Sequence, residues 1–375
     1  MGPSLVVTFV AMRNSCAVIL IAWLLAAASV AADIQLTITK KTPLTGELEN
    51  LVTFGLLKEM TCDTHGNIFS PSNRKYGNAI NAIVRFPPDA NSYTTFTIDS
   101  NDGLDGGTIT DFDLEPNDEL LVLARQVLKY SDLEVPIEFG KSFLIRFDQS
   151  GKVLSRRELN LDINNFSPTG MAVLQSGEVL VVGRHLERDR TFLIVELLRS
   201  DGTFKTRFTL NPDGTKTSKG KTASSPRVFF PTAIKANGMI YVLRGTTTEP
   251  IYVLSGTGQL QKSIQLKPND VEFDSAKILG NELIVSERPS TIIGAATGTE
   301  ARAGRLRKEL PIFSLATGEL VDRYLWFNET AGLACATTHS LTLIGQDASA
   351  KGLNWTVFEA APARSSKNDP SASGR

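Results

Sequence analysis

A pair of short alternating strands joined by a tight turn recurs six times along the chain. The segment TDFDLEPNDELLVLAR from Thr110 aligns without gaps on TGMAVLQSGEVLVVGR from Thr169, and each reads as strand, turn, strand. The pattern returns at KEMTCDTHGNIFS from Lys58, TAIKANGMIYVLRG from Thr232, SAKILGNELIVSER from Ser275 and AGLACATTHSLTLIG from Ala331. The first five copies are each followed by a second hairpin, and four of those second turns carry Gly151, Gly202, Gly258 and Gly318, where a positive φ is usually required. Two hairpins make a four-stranded antiparallel sheet, and tandem sheets of this kind pack radially. The expected fold is therefore all-β, a six-bladed β-propeller of four-stranded antiparallel blades.

The sixth unit has a third strand, LNWTVFEAA from Leu353, but the chain turns polar before a fourth could form. DIQLTITKK, from Asp33 to Lys41, alternates apolar Ile34, Leu36 and Ile38 with polar neighbours and is expected to supply that missing outer strand. The ring would then be closed by an N-terminal strand, which removes two exposed sheet edges. Residues 1–32 hold one charge, Arg13, then an apolar run from Cys16 to Val30 and small residues, the layout of a cleaved secretory signal. The run is too short for a comfortable transmembrane span, which needs about 20 residues, so no membrane anchor is expected after cleavage near Ala31 or Ala32. Residues 33–361 form the propeller, and 362–375, PARSSKNDPSASGR, read as a disordered tail. The expected location is secreted or periplasmic.

Lys plus Arg total 39 against 40 acids, so nothing global draws the chain to nucleic acid, and any charged partner has to be met by a local patch. Three Cys exclude a disulfide-dense scaffold, and three His without HExxH argue against the common His-rich zinc sites, so no metal or cofactor is expected. Gly103 to Gly107, within NDGLDGG, is Asp- and Gly-rich but single, and reads as a link between blades.

The segment SPTGMAVLQSGEVLVVG, with its Pro-x-Gly opening an inner hairpin, resembles the NHL repeat. By pattern, residues 33–361 resemble the wider group of six-bladed propellers of NHL and gluconolactonase type. That resemblance implies a divalent cation at the channel mouth, held by side-chain oxygens where inner strands open with Asn-Gly and Pro-Asp-Gly. Here those openings read Thr169-Gly170 and Pro231-Thr232-Ala233, and a hydroxyl is a poor substitute for a carboxylate toward a hard cation. Metal-dependent lactonase chemistry is not expected.

If strand one of each unit descends along the channel, the start of strand one and the end of strand two share a face, and the tight turns share the other. The long insertions, Gln126 to Gly140, Asn211 to Val228 and Pro289 to Glu309, all fall on the first face, as loops that carry function often do. Strand two ends in Arg125, Arg184 and Arg288 in three units and in Arg244 near the equivalent place in a fourth. Lys216, Lys219, Lys221 and Arg227 share one insertion, and Arg302, Arg305, Arg307 and Lys308 another. With the hydroxyls of Thr169, Thr232 and Ser275, this arginine ring suits a carboxylate, sulfate or phosphate. The alternative is a set of solvated strand ends beside loops kept soluble by charge.

Glu59 and Asp111 hold one position on adjacent units and are the weak candidates for paired acid and base chemistry. Cys62 and Cys335 share an inner-strand position on the first and last units, but equivalent points on adjacent blades usually lie too far apart for a bridge, so two buried thiols are expected. His65 and His339 follow them in the turns, on the face away from the insertions. Asn165, Asn328 and Asn354 open glycosylation sequons. The leading expectation is an exported propeller that binds an anionic small molecule, an acidic polysaccharide or a protein partner through its loop-bearing face, without chemistry. A hydrolase or lyase at the channel mouth and a structural module of the cell envelope are the alternatives.

Overall fold

The computed structural model describes residues 32–52, 60–72, 80–98, 107–129, 138–159, 166–187, 190–216, 231–244, 246–268, 271–287, 308–326, 332–337, 339–349 and 352–362. The chain opens with β1 (Ala32–Pro43) and a one-turn helix α1 (Glu47–Leu51). Four separate sheets follow in chain order. The first holds β2 (Thr61–Cys62), β3 (Ile68–Ser72), β4 (Ala82–Phe86) and β5 (Thr94–Thr97). The second holds β6 (Thr108–Leu114), β7 (Leu120–Lys129), β8 (Glu138–Phe147) and β9 (Val153–Glu158). The third holds β10 (Phe166–Val173), β11 (Val179–Glu187), β12 (Arg190–Leu198) and β13 (Phe204–Thr209), with the short β14 (Thr215–Lys216) added against β12. The fourth holds β15 (Pro231–Ala236), β16 (Met239–Arg244), β17 (Ile251–Ser255) and β18 (Leu260–Ile264).

The remaining strands are β19 (Phe273–Leu279), β20 (Glu282–Glu287), β21 (Lys308–Ser314), β22 (Leu320–Trp326), β23 (Gly332–Ala336), β24 (Leu341–Ser349) and β25 (Gly352–Pro362). They do not form two more separate blades. Together with β1 they make one eight-stranded sheet in the order β19-β20-β21-β22-β1-β25-β24-β23. The propeller-like, all-β arrangement stands, but the six separate blades read from the repeats become four blades and one large sheet. The cause is β1, which fills the outer place beside β25 as expected and also lies against β22, so the outer edges of the fifth and sixth units fuse. That sheet folds over on itself, because Ile284, Leu310, Ile312, Leu333, Leu343 and Phe358 from its two halves bury into one common core.

Equivalent apolar layers lie between consecutive sheets. Phe69, Ile83 and Phe96 of the first pack on Phe112, Val122 and Phe147 of the second, where Phe96 and Phe147 meet edge to face at 5.9 Å. Leu44, Leu48 and Leu51, on and before α1, fill the layer between the first sheet and the last units of the chain, with Met60, Ile344 and Val357. Gly151, Gly202, Gly258 and Gly318 all adopt positive φ, between 78° and 89°, in the second hairpins, which is why those turns could be located from sequence. The pairings β8–β9, β12–β13, β17–β18 and β21–β22 all carry a register shift close to the turn, a bulge that twists the outer strand and discourages edge-to-edge pairing.

Candidate functional site

An innermost strand has one hydrogen-bonding edge without a ladder partner, so its N–H and C=O groups have to be met by something else. In this chain side chains from neighbouring sheets do it. Asp111 Oδ2 accepts from Met171 N at 2.7 Å and Asp113 Oδ2 from Val173 N at 2.7 Å, so alternate residues of β6 satisfy alternate N–H groups of β10. Thr169 Oγ1 donates to Pro231 O at 2.9 Å, linking β10 to β15. Gly170 makes that approach feasible, since a Cβ there would lie 2.7 Å from Pro231 O. Lys235 Nζ reaches from β15 back over β10 to Leu114 O at 2.9 Å and Asp113 Oδ2 at 2.8 Å. Lys277 Nζ of β19 reaches Met60 O, just ahead of β2.

This stitching decides the role of Asp111. Its side chain belongs to a residue only 1% exposed, and Oδ1 accepts from Phe112 N at 2.8 Å while Oδ2 holds Met171 N. A carboxylate clamped by two backbone donors joins sheets; it is badly placed to exchange protons with a substrate. Glu59, its expected partner, lies outside the described residues. The i, i+2 spacing of Asp111 and Asp113 on an inner strand was the available sequence signal for this role. Asp111→Ala leaves two buried N–H groups without that acceptor and is expected to cost about 2–4 kcal/mol in urea unfolding. An unchanged midpoint would remove the sheet-linking role.

The arginines behave differently. Arg125, Arg184 and Arg244 pair in register with Thr108, Ser167 and Pro231, so each sits opposite the start of its unit's first strand; Arg244 ends β16, whereas β7 and β11 run on past Arg125 and Arg184 to Lys129 and Glu187. Arg125 is 7% exposed, and its Nη1 donates to Ser167 Oγ at 2.7 Å on the next sheet. Burial and the charge of Arg184 pull the Arg125 guanidinium down to about 10, and burial with the charge of Arg244 does the same to Arg184. Each guanidinium thus feels the next, and the three form one partly buried cationic row. Arg244 is anchored by Glu249, Nη1 to Oε1 at 2.6 Å. The hydroxyls of Thr232 and Ser275, both 2% exposed, have no hydrogen-bond partner among the described residues, whereas that of Thr169 is taken by Pro231. Arg288 lies outside the described residues, as do Lys219, Lys221, Arg227, Arg302, Arg305 and Arg307. Parts of the insertions are ordered as strand: β7 and β8 extend to Lys129 and Glu138, and Thr215 and Lys216 pair with β12.

A cavity of about 910 Å³ occupies the other end of the inner strands. It is lined from every sheet, by Cys62, Asp113, Val173, Lys235, Lys277 and Cys335 among others, and includes turn residues such as Gly66 and Asn237. None of the arginines, nor Thr169, Thr232 or Ser275, lines it. Cys62 and Cys335 are not two thiols but a disulfide, with Cα atoms 5.8 Å apart. The expectation of unbridged cysteines fails because β2 and β23 converge at the seam between the first and last units more closely than equivalent points on blades usually do. The bridged sulfurs carry no thiolate to share with His65 or His339 as a metal ligand set. His65 lies 3.6 Å from Asp118, and His339 N donates to Thr337 Oγ1. Asn165 and Asn328 lie outside the described residues, and Asn354 is in β25.

No known family profile matches the chain, and no curated protein matches it. The NHL and gluconolactonase-like resemblance therefore gains no support. Solved structures do match. One is a protein of unknown function from Dyadobacter fermentans DSM 18053, 8% identical, covering 88% of this chain and 99% of that one at a TM-score of 0.54. Another is the endosialidase of phage phi92, 10% identical, covering 90% and 70% at a TM-score of 0.50. At such identities the likeness is one of fold.

Proposed function

We propose that the protein binds an anionic ligand at the end of the propeller where Arg125, Arg184 and Arg244 lie. The observation that carries this reading is the row itself: the partly buried guanidiniums of Arg125 and Arg184 are depressed by burial and by the charges of Arg184 and Arg244 respectively, and the inner strands β15 and β19 carry the buried, unpartnered hydroxyls of Thr232 and Ser275. Like charges gathered and desolvated in this way destabilise the unliganded fold, and a carboxylate, sulfate or phosphate offsets both penalties at once. Arg288 and the basic insertions extend the same face in sequence, which suits an acidic polysaccharide as well as a small molecule. The Cys62–Cys335 disulfide supports an exported protein, since such bonds persist in oxidising compartments; signal cleavage after Ala31 would leave β1 whole, and after Ala32 would take only its first residue.

The test is ligand-induced thermal stabilisation and direct binding at low salt, with sulfate, glucuronate and polygalacturonate as probes. Arg184→Gln is expected to weaken binding about 10-fold and Arg125→Gln with Arg184→Gln about 100-fold, roughly one decade per lost charge-assisted contact. Without ligand the double variant should be at least as stable as the parent at pH 7. Because the folded state holds these protons less tightly than the unfolded chain, the parent's deficit is full below about 10 and shrinks as pH rises from there toward the ordinary guanidinium range. No stabilisation by any probe, or equal binding by the double variant, would return the arginines to ordinary strand ends.

A hydrolytic reading has one support, the shared fold with a phage endosialidase. It needs an acid other than Asp111, whose oxygens are both engaged.

A further inference from the structure

We propose that the Cys62–Cys335 bridge is a thiol–disulfide exchange site, reached by small dithiols through the cavity at the turn end of the channel, and that its reduction opens the seam of the ring without unfolding it. The bridge lies on the wall of the cavity of about 910 Å³, and both cysteines are only partly buried, so the bond borders a space large enough for a small reductant. The seam it spans holds the apolar layer around Leu48, Met60 and Ile344, but its inner strands are short. Strand β2 is two residues long, while β6 and β10 run for seven and eight and are joined by two carboxylate-to-N–H bonds. A second closure exists on the outside, where β1 pairs with β25 from Leu36↔Pro362 to Pro43↔Thr356 and is independent of the sulfurs. Loss of the inner clasp therefore leaves the ring held at its rim.

The chemistry balances with a dithiol as the two-electron donor. One of its thiolates attacks a cysteine sulfur, the S–S bond breaks, and the other cysteine leaves as a thiolate that takes up a proton. The second thiol of the reductant then attacks the mixed disulfide, forming the reductant's own cyclic disulfide and releasing the second cysteine.

The experiment treats the folded protein with dithiothreitol across sub-denaturing urea and follows trapped thiols by alkylation and mass. Exchange through the cavity should proceed at a rate nearly independent of urea and give two alkylated cysteines in protein that keeps its near-UV circular dichroism. Hydrogen exchange should then lose protection at Thr61–Cys62 and Gly332–Ala336 while β10 and β15 keep theirs. A rate that climbs steeply with urea from the lowest concentrations would mean that the bond is reached only by global unfolding, and would overturn the proposal. So would reduction that leaves protection at the seam unchanged, or that lowers it everywhere. These readouts do not involve anions, so they stand or fall apart from the arginine row.

Discussion

Removal of residues 33–43 is expected to abolish cooperative unfolding. Strand β1 is not an appended edge: it lies inside the eight-stranded sheet, between β22 and β25. Its loss exposes two edges, each a row of unpaired N–H and C=O groups, and separates the halves of that sheet. Leu36, 4% exposed, leaves the core shared by Leu310, Leu343 and Phe358. The ion pairs Lys40–Glu359 at 3.1 Å and Lys41–Asp347 at 2.9 Å go with it, though exposed pairs contribute little. The truncated chain should show a broad urea transition or aggregate, and a synthetic peptide of residues 33–43 should restore near-UV circular dichroism in trans. A truncated protein that melts with the parent's midpoint and slope would show that the ring is closed elsewhere.

That strand illustrates how far the sequence reaches. The alternation from Asp33 to Lys41 located β1 and its partner β25, yet only Leu36 is buried, while a register shift after Ile38 leaves Ile38 42% exposed. Local pattern identified the strand because strands are written with a period of two; it could not show that β22 also pairs with it, since the approach of two outer edges depends on how blades tilt. Most of the hairpins were legible for the same local reason, a glycine at a turn that needs positive φ, whereas Ala90 and Asp118 take that conformation in two others. The site was legible in part. Register-equivalent arginines on successive units were visible as a repeat, and in the structure Arg125, Arg184 and Arg244 do come together. Beyond the i, i+2 spacing of Asp111 and Asp113, the sequence could not show whether an acid acts on substrate or stitches strands, because the N–H of Met171 that Asp111 accepts from lies 60 residues away.

The disulfide was misjudged because sequence gives no distance across a seam, and its energetic consequence is the second large effect. Cys62 and Cys335 are 273 residues apart, so the bond removes much of the conformational freedom of the unfolded chain. Chain-entropy reasoning puts the gain near 5 kcal/mol for so long a loop, and losses on removing native disulfides run at about 2–5 kcal/mol. Cys62→Ala with Cys335→Ala is therefore expected to lower stability by that range and the melting temperature by roughly 3–7 °C. The inner and outer clasps close one ring in parallel. Weakening either shifts more of the closure onto the other, so the effects should not add. Leu36→Ala, which weakens the outer clasp without deleting it, should be tolerated in the bridged protein and should cost at least 1 kcal/mol more once the bridge is gone, a coupling of the size neighbouring sites show. Urea unfolding of the four proteins of that cycle measures it. Strict additivity would mean that the two clasps stabilise separate regions, and that the eight-stranded sheet holds together without help from the seam.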